Sequence, residues 1–178
     1  MPFLPVMPDD QASPEVKKVY DEIARRWSFV PNYFLALGHD AQLLRDQANL
    51  YTNAMFDERG LPRLIKEQIA TVVSALNLSS YCVPAHLEIL GRLGMDRSLS
   101  RKLSLDYKSA PVEPKVMELF KFCEKLNNCP GDMQRADIEK LRQCGWNDAA
   151  IFDAVLVTSL YACANRFSAG LGLTPDFD

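Results

Sequence analysis

The sequence predicts an all-α chain, and three observations carry that reading. Apolar residues recur at spacings of three and four through most of the 178 residues. Residues that open helices stand ahead of these runs, and glycine or proline often stands behind them. No stretch alternates apolar and polar residues as a half-buried strand does, and the β-branched residues fall inside helical periodicities.

The elements follow in order. Ser13-Pro14-Glu15 reads as an N-cap, a proline in the first turn and an acid near the helix start. The stripe Val16, Val19, Tyr20, Ile23 and Trp27 follows and ends near Ser28. A short run from Pro31 to Leu37 breaks at Gly38, and Asp40 can cap a third helix that closes before Gly60. Pro62 opens the next, which is apolar over most of its circumference after Gln68 and is expected to be central and buried. The helix after it stops at Gly94 and cannot begin much before Pro84, because proline is tolerated only in a first turn. Cys82 therefore falls at that helix's N-terminus. Asp96 is expected to cap a short helix through Leu103, and 109–114 is the best linker candidate. Val116 to Leu126, a short helix around Ile138 and Leu141, and a long apolar helix from Asp148 to about Leu171 complete the chain, with Asn147 capping the last. The expected architecture is one all-α domain over 1–178, a bundle of roughly eight helices with its core motif at 61–94.

Composition bounds the function. A net charge of −3 gives no electrostatic case for nucleic acid. No run reaches the roughly 18 apolar residues of a membrane span. Met1-Pro2-Phe3-Leu4-Pro5 lacks the pattern of a secretory signal. Five cysteines at irregular spacing argue against a disulfide scaffold and fit a reducing compartment, with the cytoplasm as the expected location. Cys123, Cys129, Cys144 and Cys163 are expected to fill apolar space, and His39 to lie at the surface. Nucleotide-binding signatures are absent, no metal-ligand set is evident, and no cofactor is expected.

The chemistry concentrates at Cys82 and His86. Residues four apart on a helix share a face, so a thiol meets an imidazole. A helix N-terminus favours the thiolate, and the imidazole can take its proton. Glu67 precedes the apolar part of the previous helix and can complete the set. In an antiparallel hairpin it would lie further from the connection than His86 does, so contact needs a crossing angle or a bridging water. The bland alternatives are a structural cysteine, a boundary histidine and a solvated acid paired with Arg63 or Lys66.

Glu67-Gln68-Ile69-Ala70, Val73-Ser74-Ala75-Leu76-Asn77, Tyr81-Cys82 and Ala85-His86 resemble the core motif of the alkylhydroperoxidase D-like group of the carboxymuconolactone decarboxylase superfamily. Phe29-Val30-Pro31-Asn32-Tyr33-Phe34, Gly60-Leu61-Pro62, Asn165-Arg166 and Gly170-Leu171-Gly172 resemble its peroxidase-related branch. The resemblance implies an all-α fold assembled as trimers or hexamers. It also implies a redox cysteine pair in E-x(11)-C-x-x-C-x-x-x-H, with the glutamate and histidine relaying protons. Carried over, Glu67 and His86 are the relay, Cys82 is the second cysteine, and Ser79 holds the place of the first. Serine forms no disulfide, so the dithiol cycle cannot run here.

Three functions follow from this. A single reactive thiol at Cys82 would reduce a small-molecule hydroperoxide and be restored by an external thiol or by a different cysteine of the same or a neighbouring subunit. Alternatively, Glu67 and His86 would act as acid and base on a small organic acid, with Ser79 donating a hydrogen bond, as the decarboxylase branch suggests. A third reading is a redox-inactive oligomeric binding protein.

Overall fold

The computed structural model describes residues 1–177. Among them are nine α-helices: α1 (Pro14–Trp27), α2 (Asn32–Leu35), α3 (Ala41–Phe56), α4 (Arg63–Leu76), α5 (Cys82–Arg92), α6 (Arg97–Asp106), α7 (Pro114–Asn128), α8 (Arg135–Gln143) and α9 (Asp148–Leu171). Three short 3₁₀ turns join them, and no strand occurs among the described residues. The expected caps form. Ser13 accepts from the Val16 N–H, Asp40 from those of Gln42 and Leu43, Asp96 from Leu99 and Asn147 from Ala150.

Helix α4 is the axis of the molecule, packing on α9, α5, α6, α7 and α3. Residues 66–74 are buried without interruption, which is why this run has no polar face. Each of Ile69, Val72 and Val73 is fully enclosed and contributes about 1.5–3 kcal/mol by burial. The start of α4 is held by an unusual residue. Lys66 is buried, donates to the Ala54 and Asp57 carbonyls, and pairs with Asp153 of α9 at 2.9 Å. The same Asp153 carboxylate accepts the Leu61 N–H at 2.8 Å. Gly60 is required beside it, because a Cβ there would stand 2.5 Å from the Ala149 carbonyl oxygen.

The far end of α4 is tied by amides. Asn77 donates to Asn127 of α7 and to Asn165 of α9, and Asn165 donates to Ser74 at 3.0 Å. The helix then ends in a Schellman-type turn, with the Ser79 N–H bonded to the Ser74 carbonyl. Leu78 takes the left-handed position at φ 53°, where glycine is usual, with its side chain 89% exposed. That strained turn delivers the chain into α5.

The cysteine expectation needs correction. Cys123 is buried as anticipated, and burial pushes its thiol up to about 12. Cys129 and Cys163 are exposed and Cys144 is half-buried. Cys129 caps the end of α7, and Cys163 stands on the outward face of α9, so neither position faces the core. His39 is exposed, its Nε2 3.0 Å from the Pro5 carbonyl, as expected.

Candidate active site

Cys82 is the first residue of α5, and Pro84 sits in the first turn, where its missing N–H costs nothing. The Ser79 hydroxyl accepts the Cys82 N–H at 3.2 Å, and the Ser79 carbonyl accepts that of Val83. Ser79 is thus a capping group for α5. One turn on, His86 is buried and its Nδ1 lies 2.7 Å from Glu67 Oε2. Glu67 is fully enclosed, so the pair is dry and direct, and no bridging water is needed. Glu67 Oε1 lies 3.5 Å from Arg63 Nε, one turn back on α4. Lys66, the other partner considered for Glu67, is committed to Asp153.

With Nδ1 donating to a carboxylate, the His86 ring presents Nε2 as its free nitrogen. The Tyr161 ring meets the imidazole edge-on at 4.4 Å between centroids, which fixes its plane. A buried imidazole–carboxylate pair of this kind is chemically able to move a proton.

The thiol end is different in kind. Cys82 Sγ lies 4.0 Å from Ser168 Oγ. Burial raises the thiol pKa, and hydrogen bonds with Ser79, Asn165, Ser168 and Ser74 pull the other way. The net direction is upward, against the lowering expected of a helix N-terminus, because loss of water outweighs these hydrogen bonds. At rest the sulfur carries its proton.

Cys82 and His86 share a cavity of about 250 Å³. Trp27, Tyr33, Phe34 and Tyr51 supply much of its apolar lining, and Arg63 lines it near the histidine. Asp176 and Phe177 lie against it. Tyr81 donates to Asp176 at 2.6 Å, the Asn32 N–H donates to the other oxygen at 2.8 Å, and Phe177 packs on Phe29. Burial raises the Asp176 carboxyl pKa.

All four residues singled out in the sequence, Glu67, Ser79, Cys82 and His86, meet here. The sequence argument did not single out Tyr161, Ser168 or Asp176 for the site, nor Arg63 as part of the cavity. A signal for the α9 residues was present: Thr158, Tyr161, Asn165 and Ser168 recur at three and four along an otherwise apolar helix and are all buried. Asp176 carried none, because its partners are remote in sequence. Among the described residues no cluster of three or more His, Cys, Asp or Glu is placed to hold a metal ion. No helix is long and apolar enough to cross a membrane.

No protein-family model matches the sequence, and no curated protein matches it. Solved structures do. An uncharacterized peroxidase-related protein from Silicibacter sp. TM1040 is 29% identical, over 96% of this chain and 90% of that one, with a TM-score of 0.87. An alkylhydroperoxidase AhpD core protein from Ralstonia eutropha JMP134, also peroxidase-related, is 26% identical over 98% and 92%, with a TM-score of 0.90. The debrominase Bmp8, solved with 2,3,4-tribromopyrrole, shares the fold at 17% identity over 97% and 90%, with a TM-score of 0.80. The helical fold and these near full-length likenesses agree: in fold and in sequence the chain is similar to alkylhydroperoxidase AhpD core and peroxidase-related proteins.

Proposed function

We propose that the protein is a single-thiol peroxidase that reduces organic hydroperoxides at Cys82. The observation that carries this reading is that Cys82 and a buried Glu67–His86 pair open onto one aromatic-lined cavity. As the hydroperoxide arrives, His86 Nε2 takes the thiol proton and the Glu67 carboxylate offsets the charge on the ring. The sulfur attacks the terminal peroxide oxygen, the O–O bond breaks, and the alkoxide leaves with the proton from His86. The products are an alcohol and Cys82 sulfenic acid. One external thiol then displaces water to give a mixed disulfide, and a second releases Cys82 as its thiol. Cys82 is the only cysteine lining the cavity among the described residues, so the reductant enters as a small thiol. The free cysteines suit a reducing compartment, and the cytoplasm is the proposed location. Assembly as a trimer or hexamer belongs to the same proposal and rests on the resemblance, with Phe152 and Leu105 as exposed apolar side chains that a partner would cover.

The test is to add one equivalent of cumene hydroperoxide to the reduced protein with dimedone present, then map the adduct by mass spectrometry. The expected adduct lies on Cys82 and disappears in Cys82→Ser. Absence of an adduct, together with turnover unchanged in Cys82→Ser, would overturn the reading.

A second reading is favoured by one observation: the thiol is held protonated while the Glu67–His86 pair is fully formed. On that reading the pair works as acid and base on a small organic acid, and activity survives Cys82→Ser but not His86→Ala.

A further inference from the structure

The charges lining the cavity are unequal. Among the described residues, three guanidinium groups, of Arg26, Arg63 and Arg92, line it against one carboxylate, Asp176, whose two oxygens are engaged by Tyr81 and the Asn32 N–H. Two of the arginines are more open to solvent or already engaged. Arg92 pairs with Glu88 at 2.9 Å and lies over the Phe177 ring, and Arg26 is exposed, its guanidinium 6.0 Å from the centre of the Phe56 ring.

Arg63 differs from both. Its side chain is only 24% exposed, and its guanidinium carbon sits 3.8 Å over the centre of the Phe56 ring. Only its Nε is engaged, by the long contact with Glu67, and its two terminal nitrogens have no hydrogen-bond partner among the described residues. A planar, partly desolvated guanidinium with its terminal donors unfilled is the shape that takes a carboxylate in two parallel hydrogen bonds.

Resting on the peroxidase reading above, we infer that the preferred substrate is an organic hydroperoxide that also carries a carboxylate, and that Arg63 is the residue that selects it. The geometry sets the rest of the molecule. Arg63 adjoins Glu67, Glu67 holds His86, and Cys82 lies one turn from His86, about 6 Å along α5. A ligand anchored at Arg63 passes His86 before its reactive end meets the thiol. Its body between the two ends is apolar and ring-sized, set against Tyr51 and Tyr161 in a cavity of about 250 Å³. Hydrogen peroxide would use none of this lining.

Two matched pairs of probes test the inference separately from the reading beneath it. Binding is measured by calorimetry with 4-isopropylbenzoate and 4-isopropylbenzamide, which contain no peroxide. The wild type is expected to prefer the carboxylate by about tenfold or more. Arg63→Gln should abolish that preference, while Arg26→Gln and Arg92→Gln should keep it. Equal binding of the two probes, or none, overturns the inference. So does a preference that survives Arg63→Gln or is lost in either other variant. Should Arg63→Gln fail to fold, the wild-type ratio and the two surface variants still decide.

Oxidation of Cys82 is then compared for cumene hydroperoxide and its para-carboxylate. Faster oxidation by the carboxylate supports both ideas. Oxidation blind to the carboxylate keeps the peroxidase reading and removes the inference. Carboxylate-selective binding with no oxidation by either probe removes the peroxidase reading and leaves Arg63 as a carboxylate anchor.

Discussion

The two ends of the first turn of α5 handle charge in opposite ways. At His86 the neighbours are ionic: a carboxylate at 2.7 Å, with a guanidinium behind it. At Cys82 they are neutral, the hydroxyls of Ser74, Ser79 and Ser168 and the amide of Asn165. Buried ion pairs survive only when their partners are complete, whereas hydroxyls can reorient to serve either a thiol or a thiolate. The difference teaches that the ionic groups gather at the imidazole and not at the thiol. On the proposed mechanism, the sulfur becomes anionic only when a ligand links it to His86.

The largest effect should come from removing the ionic end. His86→Ala is expected to slow dimedone-trapped oxidation of Cys82 by about a hundredfold or more. Glu67→Gln keeps an acceptor for Nδ1 but loses the charge, and should slow it less, by about tenfold. Glu67→Ala leaves His86 and Arg63 facing an empty partner site and should also cost about 3–5 kcal/mol in urea unfolding. Wild-type oxidation rates in both His86→Ala and Glu67→Gln would erase the contrast.

How much of this was legible depended on the range of the signal. The caps at Ser13, Asp40, Asp96 and Asn147 were readable because each acts on N–H groups within three residues. The pair Cys82/His86 was readable for the same reason. The direct reach of Glu67 to His86 was not, since it depends on how α5 lies against α4 rather than on spacing along either. Nor was the raised thiol pKa, because burial is set by how the helices pack; the hydrogen bonds that oppose it come partly from Asn165 and Ser168 of α9, almost ninety residues away. The left-handed backbone at Leu78 was not legible either, since such a residue is usually announced by glycine.

Ser79→Cys sharpens the neutral end. Ser79 stands within hydrogen-bond reach of the Cys82 N–H, so a thiol there would share the first turn of α5. Peroxide should then oxidise Cys82 to its sulfenic acid, which condenses with the new thiol and releases water. Mass spectrometry should show a disulfide in place of the dimedone adduct. Persistence of the adduct would mean that the turn holds position 79 away from the sulfur.

A smaller effect concerns pH. With the folded thiol pKa raised, the thiolate fraction at any pH lies below that of free cysteine, whose ordinary value is about 8.5. Iodoacetamide should therefore alkylate Cys82 slowly at neutral pH, and the rate should climb to a midpoint above that value. Ser168→Ala removes one of the opposing hydrogen bonds and should move the midpoint higher still. A wild-type midpoint below 8.5 would show that the neutral cradle, not burial, controls the sulfur.

The smallest effect separates the turn from the groups it positions. Leu78 holds a left-handed backbone while its side chain lies in solvent, so it contributes strain without compensating burial. Glycine adopts that conformation without the Cβ conflict, though it loses more entropy on folding. Leu78→Gly should therefore raise the unfolding free energy by roughly 0.5–1 kcal/mol, read from urea midpoints at constant m-value. Because the Ser79 N–H to Ser74 bond closes the turn with either residue, the Cys82 alkylation midpoint should not move. A midpoint that shifts with the gain in stability would show that strain at Leu78 is transmitted to the thiol. The neutral end would then be tuned by its backbone as well as by its hydroxyls.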